Sequence, residues 1–345
     1  MGRTYIVAEI GCNHNGDKMI ARKMVLEAKN CGVDAVKFQT FKAEDLISIY
    51  APKAEYQKKS TGTEDTQLEM TAKLELPQED FLELKEYAAS LGLGVFSTPF
   101  DSGSIDFLES TGQNLWKIPS GEITNLPYLE RIASLCCPGK KIILSTGMAT
   151  IEEIETCINL LTKGGMKPKD ITILHCNTEY PTPDKDVNLL AINKLKKHFP
   201  EFQIGFSDHS VGYVASIGAA ALGVSLVEKH FTLDKDMPGP DHRASATPKE
   251  LKALVTGIRQ LEAMMGNGEK MVTDSERKNK IVARKSIVAK KAIAEGETFT
   301  LENLTCKRPG NGISPMQWHQ VLGRVAEKAF QPDQLIELSG IKNQA

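Results

Sequence analysis

Three things are missing from this sequence: an excess of charge of one sign, a long apolar run, and a paired cysteine motif. Each absence removes a class of function. A formal net charge of -2 gives no electrostatic basis for binding nucleic acid. No apolar stretch reaches the ~20 residues that cross a bilayer, and MGRTYIVAEIG runs straight into a strand pattern without a signal peptide's architecture. Cys12, Cys31, Cys136, Cys137, Cys157, Cys176 and Cys306 form no CxxC pair and sit mostly among apolar neighbours. They read as reduced thiols of a cytoplasmic protein. Also absent is GxGxxG, the Gly-rich first turn of a doubly wound dinucleotide-binding sheet. The remaining composition, 41% hydrophobic and 25% charged, is that of a soluble globular protein.

What is present is alternation. Eight β-rich runs, TYIVAEIG, DAVKFQT, GVFSTPF, LWKIPSG, KIILSTG, ITILHC, QIGFSDH and SLVEKHF, are separated by helical patterns. Ile151, Ile154, Ile158 and Leu161 share a helix face behind a Thr150/Glu153 capping box. Thr247, Pro248 and Glu250 open another helix, which buries Leu251, Leu254, Val255, Ile258 and Leu261. Eight such units in about 260 residues predict an α/β protein built on a (β/α)8 TIM barrel, here residues 1–266. The long connection ISIYAPKAEYQKKSTGTEDTQLEM is expected to fold over one barrel mouth. Residues 267–280 read as a linker or an exposed helix. Residues 281–345, roughly 65, read as a small β-rich domain whose thin core benefits from docking.

In a barrel the C-terminal ends of all strands meet at one face, where active sites are built. Those ends are polar throughout: Glu9; Lys37 and Gln39; Ser97 and Thr98; Lys117, Ser120 and Glu122; Ser145 and Thr146; Asn177, Thr178 and Tyr180; Ser207, Asp208 and His209; Glu228 and His230. A strand that simply surfaces explains one such end, whereas eight converging ends favour a site. Lys37 and Lys117 with hydroxyls and amides suit a phosphate or carboxylate ligand. The other reading of these lysines is structural pairing with Glu9 or Glu122, since buried lysines are rare without partners. His209 and His230 end consecutive strands and suit a divalent transition metal such as Mn, Fe, Co or Zn, with satisfied structural histidines as the alternative. His175 reads as a core residue, and His14 as a loop residue bonding backbone. Arg308, before a Pro-Gly turn, is either a surface arginine or a guanidinium offered to a ligand.

The strings AEIGCNHNG, VKFQT, FSTPFD, WKIPSGE, ILSTGM, LHCNTEYPTP, GFSDHS, EKHFTLDK, GPDH and KRPGNGISP together resemble the bacterial-type sialic acid synthase family, over essentially the whole chain. The resemblance implies a barrel followed by an antifreeze-like (SAF) domain, in domain-swapped homodimers whose small domains cap the partner's barrel. It implies condensation of phosphoenolpyruvate with N-acetylmannosamine and water to N-acetylneuraminate and phosphate. Phosphoenolpyruvate would meet Lys37, Thr98, Lys117, Ser120, Ser145, Ser207 and either Asn177 or Thr178. His209 and His230 would hold the metal, manganese first, with magnesium or cobalt as alternatives. Gln39, Tyr180, Asp241 and the partner subunit's Arg308 would face the sugar. Glu9 would be the acid/base, with Glu9 or Glu122 stabilising positive charge near the reacting carbons; which glutamate handles the water proton stays open. Legionaminic acid synthases, which take a 2,4-diacetamido-6-deoxy sugar, share many of these strings, PSGEITNLPYL among them. A non-catalytic carbohydrate-binding protein is the reading from another class, but it has no need of paired lysines, histidines and glutamates at one mouth.

Overall fold

The structure, a computed structural model, describes residues 2–61 and 65–342. They form two compact units that divide after Gly266. In the first, the eight expected strands are β1 (Tyr5–Gly11), β2 (Ala35–Thr40), β3 (Gly94–Pro99), β4 (Leu115–Ile118), β5 (Lys141–Ser145), β6 (Ile171–His175), β7 (Gln203–Asp208) and β8 (Leu226–His230). All ladders are parallel, in the order β3-β2-β1-β8-β7-β6-β5-β4. With β4 packed beside β3, the sheet comes round as a nearly closed barrel. The anticipated Thr150/Glu153 capping box opens the helix Ile151–Lys163, and Thr247 and Glu250 form a second on the helix Pro248–Met264.

Side chains alternate across a strand, so every second residue points into the barrel. One inward layer is apolar: Val7, Ala35, Phe96, Ile143, Leu174 and Leu226 form a plug of their own, with Leu115 against it. Gly205 completes this layer because nothing larger fits; an added Cβ would sit 2.4 Å from Leu174 Cδ2 and 2.9 Å from Leu226 O. Two residues further along, the same face becomes polar, with Glu9, Lys37, Thr98, Lys117, Ser145, Ser207 and Glu228. The outward residues, among them Ile6, Ala8, Val36, Phe38, Trp116, Leu144, Ile173, Phe206 and Val227, pack under the helices in the main core. Asp208 and Lys229 are outward too, and fully buried. Their ion pair spans 3.2 Å, and Asp208 also accepts from Ser210 and Ser216. Asp208, one of the polar strand ends, therefore braces the wall and does not face the mouth.

The β3–β4 seam is fastened by a side chain. Gln113, just before β4, accepts from the Ser97 N–H (2.8 Å) and donates to the Ser97 carbonyl (2.9 Å), as an adjoining strand would. Both residues are buried. The connection after β2 carries the short helices Ala43–Leu46, Glu55–Thr61 and Gln67–Ala72.

In the second unit, the stretch expected as a linker holds the exposed helix Asp274–Ala283. Strands β9 (Ser286–Ala289) and β10 (Leu304–Lys307) pair antiparallel. Ile287, Ile293, Phe299, Leu304, Phe330 and Ile336 are among the residues of its small core. Within it, Ile293 and Phe330 exchange backbone hydrogen bonds of 2.9 and 2.8 Å. No helix among the described residues is long and apolar enough to cross a membrane.

Replacing Gln113 by alanine strands two buried backbone groups at the seam. Each group left unpaired costs about 1–3 kcal/mol, so urea denaturation of Gln113→Ala should show that loss. An unchanged midpoint would mean that water takes over the amide's bonds.

Candidate active site

A cavity of about 290 Å³ opens where the strands end. A larger recess of about 720 Å³ lies at the strand starts, but the lysines that border it, Lys141 and Lys169, are exposed. The buried titratable groups converge at the smaller cavity.

Its floor is the polar inward layer. Lys37 Nζ lies 2.6 Å from Glu9 Oε2, out of line for a hydrogen bond, and donates to Thr98 Oγ1 at 3.0 Å. Lys117 Nζ reaches both oxygens of Glu228, at 2.7 and 3.0 Å. Glu228 also accepts from Ser207 Oγ (2.9 Å) and lies 3.8 Å from Lys37 Nζ. Gln39 donates to Glu9 Oε1 at 3.0 Å. None of the four charged groups is more than 3% exposed, so each depends on the others for its charge.

The two carboxyls are driven apart. Burial pushes Glu9 upward, Lys37 pulls it down and the Glu228 charge pushes it up again, leaving it at about 7. Burial also pushes Glu228 upward, but the charges of Lys117 and Lys37, with hydrogen bonds from Lys117 and Ser207, more than reverse that. It ends well below the usual carboxylate range. Burial lowers Lys117, against the pull of Glu228. The resting site thus holds one fixed carboxylate between two lysines, and one carboxyl poised near neutrality.

The far side of the floor is aromatic. Tyr180 stacks on His209 with centroids 4.2 Å apart, and His209 and His230 lie 5.2 Å apart edge to face. Burial holds His209 at about 4 and His230 well below its ordinary value, the latter helped by His209 and Lys37. Both imidazoles are therefore neutral. His209 Nδ1 faces the Asn177 carbonyl, while the buried His230 Nδ1 has no hydrogen-bond partner. Asp241, pushed up to about 6 by burial, lies 4.0 Å from that nitrogen and accepts from Cys12 Sγ at 3.5 Å.

Residues 24–270 match the NeuB family. The chain belongs to the NeuB family. Residues 284–342 match the SAF domain. The N,N'-diacetyllegionaminic acid synthase of Campylobacter jejuni is 52% identical over 97% of this chain and 99% of its own. That of Legionella pneumophila is 44% identical over 92% and 89%. A crystal structure of N-acetylneuraminic acid (sialic acid) synthetase from Leptospira borgpetersenii, in complex with citrate, superposes with TM-score 0.70. It has 34% identity over 81% of this chain and 90% of that one. The chain is an enzyme, a transferase of the sialic-acid-type synthases.

Of the residues anticipated for the site, Glu9, Lys37, Gln39, Thr98, Lys117, Ser120, Ser145, Thr178, Tyr180, Ser207, His209, His230 and Asp241 line this one cavity. Two do not. Glu122 is outside the lining, its carboxylate taken by Asn125 Nδ2 at 2.6 Å where a helix begins. Asn177 turns away, its Oδ1 accepting from the Glu179 N–H (2.8 Å), which leaves Thr178 on the cavity side. Arg308, anticipated from the partner subunit, belongs to the second unit and is exposed there, donating to the Ala283 carbonyl. His175 and His14 bond backbone groups, the Val187 carbonyl and the Gly16 N–H.

Glu228 is the residue that reading by segment undervalued. The signal was spacing: Glu228 and His230 share a face, while Lys229 between them goes into the wall. The lining also takes in Cys12 and, from the connection after β2, Leu46, Ile47, Tyr56 and Gln57. The stretch expected to cover a mouth does line it, although residues 62–64 lie outside the described residues.

Glu228→Gln removes the like charge that helps raise Glu9 and leaves Lys37 acting on Glu9 alone. The Glu9 carboxyl should then titrate below its starting value of about 7, as followed by carbon-13 carboxyl shifts. An unmoved titration would mean that the Glu228 charge plays no part and that burial and the lysines set it.

Proposed function

We propose that this enzyme is an N,N'-diacetyllegionaminate synthase. It condenses phosphoenolpyruvate with 2,4-diacetamido-2,4,6-trideoxymannose and water, and releases phosphate. The observation that carries the reading is the 52% identity, over nearly full length, to a relative of that name. N-acetylmannosamine, to which the sequence strings pointed first, becomes the second reading. It is favoured by the likeness to a sialic acid synthetase at the lower identity of 34%.

In this reading the phosphate and carboxylate of phosphoenolpyruvate take the lysines over from the glutamates. Lys37 and Lys117 supply charge, and Thr98, Ser120, Ser145, Thr178 and Ser207 supply hydroxyls. Gln39, Tyr180 and Asp241 orient the sugar. The assembly proposed with it is a cytoplasmic domain-swapped homodimer in which Arg308 of the partner subunit meets an acetamido group.

The neutral imidazoles and the unpartnered His230 Nδ1 fit a divalent metal such as manganese, magnesium or cobalt. His209 and His230 would hold it with Asp241 beside them. Among the described residues no set of three His, Cys, Asp or Glu has metal-holding geometry, so water and substrate would complete the shell. A bound divalent ion supplies Lewis-acid polarisation of the sugar aldehyde.

Held side by side, C3 of phosphoenolpyruvate bonds to the aldehyde carbon, whose oxygen takes the proton of the Glu9 carboxyl. Positive charge then develops at C2, where the buried carboxylates stabilise it. Water adds at C2 and gives its proton to Glu9, whose value of about 7 suits a proton acceptor at neutral pH. The tetrahedral carbon then expels phosphate by C–O cleavage, its hydroxyl proton passes to the departing phosphate, and it becomes the product's ketone.

Phosphate release from phosphoenolpyruvate with Mn(II) tests the substrate. The diacetamido sugar should be preferred to N-acetylmannosamine, and EDTA should abolish release with either. The reverse preference moves the product to N-acetylneuraminate, and release insensitive to EDTA removes the metal.

Glu9→Gln should lose turnover and keep phosphoenolpyruvate binding. Its pH profile checks the same assignment. Protonated Glu9 carries no charge, so the wild type should bind the anion best below about pH 7 and lose affinity as pH rises through it. The ligand's own ionisation is common to both proteins, so the two calorimetric profiles should differ only by the Glu9 step. Identical profiles would take Glu9 out of the site's charge balance.

A further inference from the structure

We infer that an apolar wall on one side of the cavity reads the methyl groups of the sugar, and so selects a 6-deoxy, diacetamido substrate over a hydroxylated one. The inference rests on the proposed function and names the residues that choose between its candidate sugars.

Phe41, Leu46, Leu74 and Phe100 form a cluster with Cys12 that is separate from both the main core and the barrel plug. The Phe41 and Phe100 rings meet edge to face at 6.3 Å. Every member of the cluster lines the cavity, and so does Ile47. Phe41 and Leu74 are already buried, but Leu46, Ile47 and Phe100 are only half-buried, so the part of the wall they form is left for an apolar group that enters the cavity.

Depth says which part of the ligand that is. The charged groups sit on strand residues, Glu9, Lys37, Lys117 and Glu228, with His230 at the last strand's end. The wall sits on the connections beyond the strands, just after β2 and β3 and on the helix Ala43–Leu46. The reacting carbon of the sugar has to lie at the charged floor, so its far end rises toward the wall. In 2,4-diacetamido-2,4,6-trideoxymannose that far end carries a C6 methyl and a second acetamido methyl. N-acetylmannosamine presents hydroxyls at both positions. Against a wall of carbon, a methyl gains contact, while a hydroxyl gives up water without finding a partner.

The size of such an effect is bounded. One methyl group in an apolar pocket changes kcat/KM by about 10–200-fold, and an added hydroxyl is rejected by about 100-fold at most. The wall therefore sets a preference and leaves the chemistry of the floor unchanged.

The test compares phosphate release with three sugars: the trideoxy sugar, its 6-hydroxy counterpart 2,4-diacetamido-2,4-dideoxymannose, and N-acetylmannosamine. The wild type should favour the 6-deoxy over the 6-hydroxy sugar. Leu46→Gln and Ile47→Gln, both at half-buried positions, should each cut that kcat/KM ratio by about 10-fold or more. Leu46→Met, which keeps the wall apolar, should hold it. A ratio unmoved in both glutamine variants, with thermal unfolding unchanged, overturns the wall. A wild type that turns over N-acetylmannosamine better than either diacetamido sugar overturns the proposed function itself, and this is read before any variant is made.

Discussion

Two ammonium groups and two carboxylates, all withdrawn from water, hold one another at the barrel mouth, and the rest of the site is arranged around them. Leaving any one unpaired would cost several kcal/mol, so the set stands or falls together. Its members come from β1, β2, β4 and β8. The array is therefore a cross-brace that requires the ring of strands to be in register. It also assigns the protons: with Glu228 fixed as an anion by both lysines, the labile proton is left to Glu9.

The eight strands and their polar ends were legible because the alternation of a strand is local. From any strand, the residue two places past an apolar inward position can be picked out by counting. Lys37, Lys117, Ser207 and Glu228 all occupy such positions; read as polar strand ends, all four were in view, but Glu228 was given no role. Partners across the barrel are not local. Glu122 lay five residues from Lys117 and looked like its counter-ion, yet the observed partner, Glu228, is 111 residues away. Nor could sequence choose between Asn177 and Thr178. That choice depends on a turn in which Asn177 bonds its own neighbours, and adjacent polar residues give no period to read.

The connection after β2 was legible as a cover only by its length. Phe41, Leu46 and Leu74 follow neither a helical nor a strand period; they pack with Cys12 and Phe100 in a cluster beside the cavity. Irregular hydrophobic placement in a long loop is itself a signal of a surface that waits for a ligand. The floor of this enzyme comes from the barrel strands and the rim from the connections beyond them, so the two can change separately. That division suits a family whose members share a reaction and differ in their sugars.

The seam at Gln113 gives the ring a preferred place to part. Elsewhere strand meets strand through ladders that open only cooperatively; here one amide side chain stands in for the backbone. Thr98 lies next to the end of the strand on one side of that clasp, and Lys117 lies on the strand at the other. If the barrel breathes, it breathes between two parts of the polar floor, so the lifetime of that clasp bounds how long the floor keeps its shape.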